Sequence, residues 1–149
     1  MNFLKRIIIT LTILLGLILL YTSSLIGVND KAKNYLKTLT KELKKKGYEP
    51  NFFVISGRRW YLDNLLLNKF GGASSKSRHL KGEAIDIIVL DVNKDGQRNA
   101  LDVNIVYNML DKKIIKNHGG LGTYKNEQGF FNQQMIHFDS RGKKARWNR

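Results

Sequence analysis

The residues with the clearest chemical potential lie in one short segment and one distant histidine. Asp86 sits inside the apolar run Ala84-Ile85-Asp86-Ile87-Ile88-Val89-Leu90. A carboxylate in a buried strand carries a large desolvation cost unless it is paired or bound to a metal. His79 lies seven residues upstream, across Leu80-Lys81-Gly82, close enough for both side chains to converge on one ion. His137, in the alternating run Met135-Ile136-His137-Phe138-Asp139, is a candidate third ligand. Two imidazoles and one carboxylate leave a fourth tetrahedral position for water, as in catalytic zinc sites. Histidines also serve ordinary structural roles, so spacing alone leaves both readings open.

A second oxygen-rich segment follows at residues 91–102. Asp91, Asn93, Asp95, Gly96 and Asp102 occupy positions 1, 3, 5, 6 and 12 of a loop with EF-hand spacing. Gln97 would offer its backbone carbonyl, and Asn99 a side chain or a bridging water. Aspartate at the last position resembles the calcium loop of dockerin repeats. Three aspartates in twelve residues of a basic chain repel one another unless a cation is bound. The expected role is a calcium clip joining the Asp86 strand to the next helix; the bland alternative is an Asn/Asp/Gly-rich turn.

These residues need elements to hold them. After Asn29 and Asp30, plausible helix caps, Ala32, Leu36, Leu39 and Leu43 recur at helical spacing with lysines between them, and Gly47 and Pro50 close the helix. Residues 52–56 read as a short buried strand, residues 60–70 as a helix ended by Gly71-Gly72, and residues 84–90 as a second strand. Val103, Val106, Leu110 and Ile114 predict a helix over residues 102–115. Residues 135–139 give a third strand. Strands and helices interleave without the regular period of a parallel sheet, so the expected class is α+β.

The 149 residues allow one domain plus an appendage. Lys5 and Arg6 precede an uncharged apolar stretch at residues 7–20, the pattern of a positive n-region and an apolar h-region. Extended to Gly27, it has the length of a bilayer span. The expected organisation is a membrane anchor or signal peptide at 1–28 and a soluble domain at 29–149. Anchoring is preferred because no small-x-small cleavage site follows. The lysines of residues 31–46 would be held inside by the positive-inside rule, which argues against export. The net charge of +14 predicts an anionic partner such as a wall polymer or phospholipid headgroups. Nucleic acid is disfavoured, because no helix-turn-helix, zinc-finger or RNP pattern accompanies the charge. The absence of cysteine decides nothing about compartment.

The string Ser77-Arg78-His79-Leu80-Lys81-Gly82-Glu83-Ala84-Ile85-Asp86-Ile87 resembles the S-x-H-x-x-G-x-A-x-D signature of M15 zinc peptidases, the D-Ala-D-Ala carboxypeptidase and L,D-endopeptidase group. Upstream, Ser56-Gly57-Arg58-Arg59 is similar to that family's S-G-[YF]-R segment. Downstream, Gly119-Gly120-Leu121-Gly122-Thr123-Tyr124, then His137-Phe138-Asp139-Ser140-Arg141-Gly142 and Ala145-Arg146-Trp147 resemble blocks of its short subgroup. The resemblance implies a hedgehog/DD-peptidase-like fold, a small antiparallel sheet with flanking helices. It makes His79, Asp86 and His137 the zinc ligands and Arg59 the group that steadies a substrate carbonyl or carboxylate. Ser77 would orient the His79 loop or bond a ligand.

One departure touches catalysis. Many M15 enzymes place a glutamate three residues before the last histidine, where this chain has Gln134. Asp139 is the nearest alternative base, with Glu127 and His118 as others, and Asp139 would equally serve to orient a ligand histidine. The expectation is a membrane-tethered or secreted zinc metallopeptidase facing the periplasm or cell exterior, acting on peptidoglycan stem peptides or cross-links. The alternatives are a non-catalytic zinc- and calcium-containing wall-binding module and a calcium-dependent surface protein.

Overall fold

The computed structural model describes residues 3–61, 64, 65, 68, 69, 74, 76–124 and 132–148, apart from the side chains of residues 4, 17–24 and 132. Helix α1 spans Phe3–Ser24. Helix α2, Asp30–Lys45, begins as its sequence predicts: the Asn29 side chain accepts the Ala32 N–H at 2.8 Å. Its buried stripe is Ala32, Leu36, Leu39 and Leu43, the set that helical spacing picks out. Strand β1 is Phe52–Ser56 and β2 is Ala84–Val89. Helix α3, Ala100–Met109, runs on into a π-helical turn at Leu110–Ile115. Strands β3 (Gly120–Thr123), β4 (Met135–Asp139) and β5 (Ala145–Asn148) complete the chain. Of the helix expected over residues 60–70, Tyr61, Asn64, Leu65, Asn68 and Lys69 are helical and the remainder lies mostly outside the described residues.

The strands form one sheet in the order β1-β2-β4-β3-β5, antiparallel except for the β3–β5 pair. The class is α+β, as expected. Because side chains alternate across a strand, the register divides the sheet into two faces. Val54, Ile85, Ile87, Ile136, Phe138 and Leu121 join Leu36, Leu39 and Leu43 of α2 and Val103, Val106 and Leu110 in one core cluster. Each such aliphatic side chain, fully buried, contributes roughly 1.5–3 kcal/mol. The opposite face carries Asp86 paired with His137, His137 with Gly122, and Gly122 with Trp147. A bulge between Val54 and Ser56 keeps Val54 in register with core residue Ile87 and also sets Ser56 opposite Asp86.

The N-terminal helix enters the domain through a tight turn. The helix ends at Ser24, while Leu25 and Val28 pack into the domain core. Gly27 turns with φ +73°, and its carbonyl lies where a side chain on Gly82 would stand. The Asn29 N–H then donates to the Gly82 carbonyl at 2.8 Å. Among the described residues, no helix is long and apolar enough to cross a membrane, so the span expected over residues 7–27 finds no support there. The side chains of residues 17–24, which fall in that span, are outside the described set.

Candidate metal centre

His79 lies in a 3-10 turn, Arg78–Lys81, entered through Ser77, whose hydroxyl accepts the His79 backbone N–H at 3.4 Å. Gly82, with φ +65°, ends the turn in a conformation open to glycine. The turn delivers the His79 ring beside Asp86 on β2 and His137 on β4, which are direct cross-strand partners. All three residues are buried, at 2%, 3% and 7% exposure.

The hydrogen bonds fix which atom of each ring faces inward. His79 Nδ1 is 2.6 Å from the Gly57 carbonyl, an acceptor only, so Nδ1 carries the proton and Nε2 presents a lone pair. His137 Nε2 faces Asp139 Oδ2 at 3.4 Å, which leaves Nδ1 as the inward acceptor. His79 Nε2, His137 Nδ1 and Asp86 Oδ1 then stand 3.2, 3.2 and 2.7 Å from one another. Neutral rings would leave three acceptors facing each other with no donor between them, an arrangement that calls for a cation. Tetrahedral zinc with ligands at about 2.0–2.1 Å places ligand atoms roughly 3.3 Å apart, so the donor set fits zinc. Among the described residues, these are the His, Cys, Asp or Glu side chains grouped tightly enough to hold an ion.

Arg59 holds the other oxygen of Asp86. Its Nη2 donates to Asp86 Oδ2 at 2.8 Å and its Nε to Ser56 Oγ at 2.9 Å. Burial alone would raise the Asp86 pKa, but His79 and His137 beside it hold it far below the usual carboxylate range. Burial lowers the His137 pKa, yet the Asp86 and Asp139 carboxylates outweigh burial and raise it.

Asp139 stands behind His137, not in front of it. It is fully buried, and its Oδ1 accepts the Gly120 and Arg141 backbone N–H groups, each at 3.0 Å. Arg141 grips both oxygens, with Nε at 2.8 and 2.9 Å. Burial would raise the Asp139 pKa, but His137, Arg141 and the backbone donors together push it well below the carboxylate range. A general base works best with a pKa near the operating pH. Of the two roles its sequence position suggests, base or orienting partner, the geometry favours the second: Asp139 is held by Arg141 and the backbone on the far side of His137.

Of the other base candidates, His118 is exposed and does not line the cleft, and Glu127 lies outside the described residues. Gln134 is buried with Oε1 unpartnered among the described groups; its 3-10 turn packs toward α3 and is absent from the cleft wall.

The metal triad opens onto a cleft of about 390 Å³, walled by Arg59, Ser77, Arg78, Tyr124, Arg141 and Trp147. Trp147 lies 5.2 Å from the His137 ring, centroid to centroid, and the Arg141 guanidinium carbon stands 5.3 Å from the indole centroid. A side chain on Gly122 would collide with the indole, so glycine is what admits Trp147. Sequence reasoning gave no role to Ser56, the Gly57 carbonyl, Arg141 or Trp147. All stand in the quoted blocks, but residue type does not reveal a carbonyl acceptor or an indole wall.

The loop at 91–102 is closed by its own hydrogen bonds, and calcium finds no support among the described residues. Asp102 is wholly buried, and its carboxylate accepts the Val92, Asn93 and Asn99 N–H groups at 2.8, 3.2 and 3.0 Å. With Asn99 it forms a capping box on α3. Asp91 accepts from Asp95 and Gly96, and Asn93 and Asp95 accept from Asp95 and Gln97. The side-chain oxygens of Asp91, Asn93, Asp95 and Asp102 thus accept from the loop's own backbone, a role that the same spacing serves as well as ion binding.

The chain matches no family model and no curated protein. Among solved structures it is similar to the L-Ala D-Glu endopeptidase ChiX of Serratia marcescens, at 15% identity, covering 81% of this chain and 86% of that one, with a TM-score of 0.47. Fold and site together define a mixed α+β domain with a buried His–Asp–His centre at the floor of a cation-walled cleft. The functional reading rests on that geometry and not on the likeness.

Proposed function

We propose that the protein is a zinc-dependent peptidase that cleaves peptide bonds in peptidoglycan stem peptides or cross-links. The observation that carries this reading is the convergence of His79 Nε2, Asp86 Oδ1 and His137 Nδ1, each held with its acceptor inward by a partner on the far side. The substrate class comes from the M15-like sequence blocks at Ser56–Arg59, residues 77–87, 119–124 and 137–147.

Zinc, when bound, makes water nucleophilic near neutral pH and polarises a carbonyl. The chain's residues do the rest. Arg59, fixed at two points and facing the cleft, presents positive charge to an oxyanion. Tyr124 offers a phenol and Trp147 an apolar wall that limits water around the triad. Asp139 and the Gly57 carbonyl hold the ring protons outward. The net charge of +14 suits an anionic wall. Peptidoglycan lies outside the cytoplasmic membrane, and Lys5-Arg6 followed by the apolar residues 7–20 supports an exported domain, tethered or released.

A second reading, a zinc-containing wall-binding module without turnover, is favoured by one observation. Among the described residues, Asp86 is the carboxylate lining the cleft, and it is already a metal ligand. The test is incubation of the zinc-loaded protein with purified muropeptides and mass analysis of the products. The peptidase reading expects cleavage that His137→Ala abolishes. Cleavage persisting in that variant would overturn the zinc mechanism, and intact muropeptides with stoichiometric zinc would establish the binding module instead.

A further inference from the structure

A second groove lies beside the metal cleft, and Trp147 is the wall between them. It holds about 470 Å³ and runs between α3 and the edge strand β5, lined by Asn104, Tyr107, Asn108, Arg146, Trp147 and Asn148. That volume is within the roughly 300–1,000 Å³ range of small-molecule sites. Asn104, Tyr107 and Asn108 share one face of α3, being three and four residues apart. Thr123 Oγ1, on β3, donates to Asn148 Oδ1, on β5, at 2.9 Å, which fixes that carboxamide in the groove wall.

The lining is chemically unlike the cleft next door. Three carboxamides, each both donor and acceptor, one hydroxyl (Thr123) and one phenol line it, with Trp147 at its border toward the metal cleft. The single charged residue, Arg146, is committed: Nε to Asp111 Oδ1 at 2.7 Å, and Nη1 to the Gly119 and Ala145 carbonyls at 2.8 Å. Such a surface has no spare charge to recognise an anion or a cation. It suits a neutral ligand dense in hydroxyl and amide groups with an apolar ring face to lie on an aromatic side chain. That is the chemistry of an N-acylated sugar.

We infer that this groove is a glycan subsite, which binds N-acetylated sugar units while the peptide they carry enters the metal cleft past Trp147. The inference rests on the peptidase reading for its link to substrate, but not for sugar binding itself. It makes the substrate glycan-attached stem peptide in preference to free peptide. Trp147 couples the two sites, with its ring 5.2 Å from that of His137.

The test uses the full-length protein and an N-acetylglucosamine tetrasaccharide as probe, with binding followed by ¹⁵N NMR of the Trp147 indole and asparagine side-chain amides. The wild type should show saturable shifts at those groups with or without zinc. Asn104→Ala combined with Asn108→Ala should weaken binding roughly tenfold, as expected for losing one or two neutral hydrogen bonds. The same variant should lower kcat/KM on glycan-attached peptide by a similar factor and leave free-peptide hydrolysis within about twofold. Unchanged sugar affinity in the variant overturns the inference, as does absence of shifts in the wild type at millimolar sugar. Shifts at the same residues with polyglycerol phosphate and not with the sugar also overturn it. Should no substrate be hydrolysed while the sugar binds, the peptidase reading fails and the subsite stands.

Discussion

Asp139→Asn separates a positioning residue from a general base. In the wild type Oδ1 accepts the Gly120 and Arg141 N–H groups while Oδ2 accepts Arg141 Nη2 and faces His137 Nε2. An asparagine has one carbonyl oxygen, so its NH₂ must face either the Gly120 and Arg141 backbone N–H groups or Arg141 Nη2 together with His137 Nε2, donors in both cases. With the NH₂ toward His137, the relief open to the ring is to move its proton to Nδ1, which removes the lone pair that faces the metal; with the NH₂ toward the backbone donors, the strand end loses two hydrogen bonds. Loss of a carboxylate behind a ligand histidine lowers metal affinity about 10–100-fold, or about 1.4–2.7 kcal/mol. Arg141 retains some solvent contact at 21% side-chain exposure, so the folding cost of breaking its pair is about 1–3 kcal/mol, below that of a fully buried pair. The assay is zinc competition against a chromogenic chelator, with thermal denaturation as the control for folding. A variant that binds zinc within about threefold of wild type yet loses hydrolysis would refute the positioning role and restore Asp139 as the base.

Gly122→Ala should displace Trp147 and cost about 1–3 kcal/mol by overpacking, read as a lower Tm and a changed tryptophan spectrum. Asp102→Ala should destabilise by about 2–4 kcal/mol through three backbone N–H groups left unpaired, and millimolar calcium should not shift the Tm of the wild type. Zinc removal by a chelator should lower the Tm, since a ligand present at about 1,000 times its Kd contributes about 4 kcal/mol. That effect has a defined pH dependence. The raised His137 pKa means the metal-free protein keeps the His137–Asp86 stabilisation fully below pH about 6.5 and loses it as pH rises through the folded value. Zinc needs the neutral ring, so the zinc-induced rise in Tm should be larger at pH 8 than at pH 6, and an equal or reversed effect would count against His137 as ligand.

Elements built on long local patterns were legible in the sequence. Helix α2 announced its cap at Asn29 and its buried stripe from Ala32 to Leu43, because both depend on residues within a turn or two of each other. Strands β3 and β5 were not legible. Gly120-Leu121-Gly122-Thr123 has poor intrinsic strand propensity, and it is held by pairing with β4 and β5, contacts that local periodicity does not encode. The His79–Asp86–His137 cluster was readable in its residue types, above all from a carboxylate placed inside an apolar strand. Its working details were not: the bulge that brings Ser56 to Asp86 and the Gly57 carbonyl that sets the His79 tautomer are backbone properties. The loop at 91–102 shows why such spacing is ambiguous in a sequence. Asp and Asn oxygens spaced to ring a cation are also spaced to accept backbone N–H groups two to five residues onward, and here they do so.

Strand alternation ties the fold and the site to the same residues. On β2, Ile85 and Ile87 enter the core while Asp86 between them faces the cleft, and on β4 Ile136 and Phe138 do the same around His137. A one-residue slip between these strands would put Asp86 and His137 into the hydrophobic layer and Ile85 or Phe138 into the site. The aliphatic core therefore sets the separation of the ligands: the register that buries Phe138 also holds His137 Nδ1 2.7 Å from Asp86 Oδ1. Core substitutions that keep volume should then preserve zinc affinity, whereas Phe138→Ala, which opens a cavity directly behind His137 and costs about 3–5 kcal/mol, should loosen the metal centre as well as the fold.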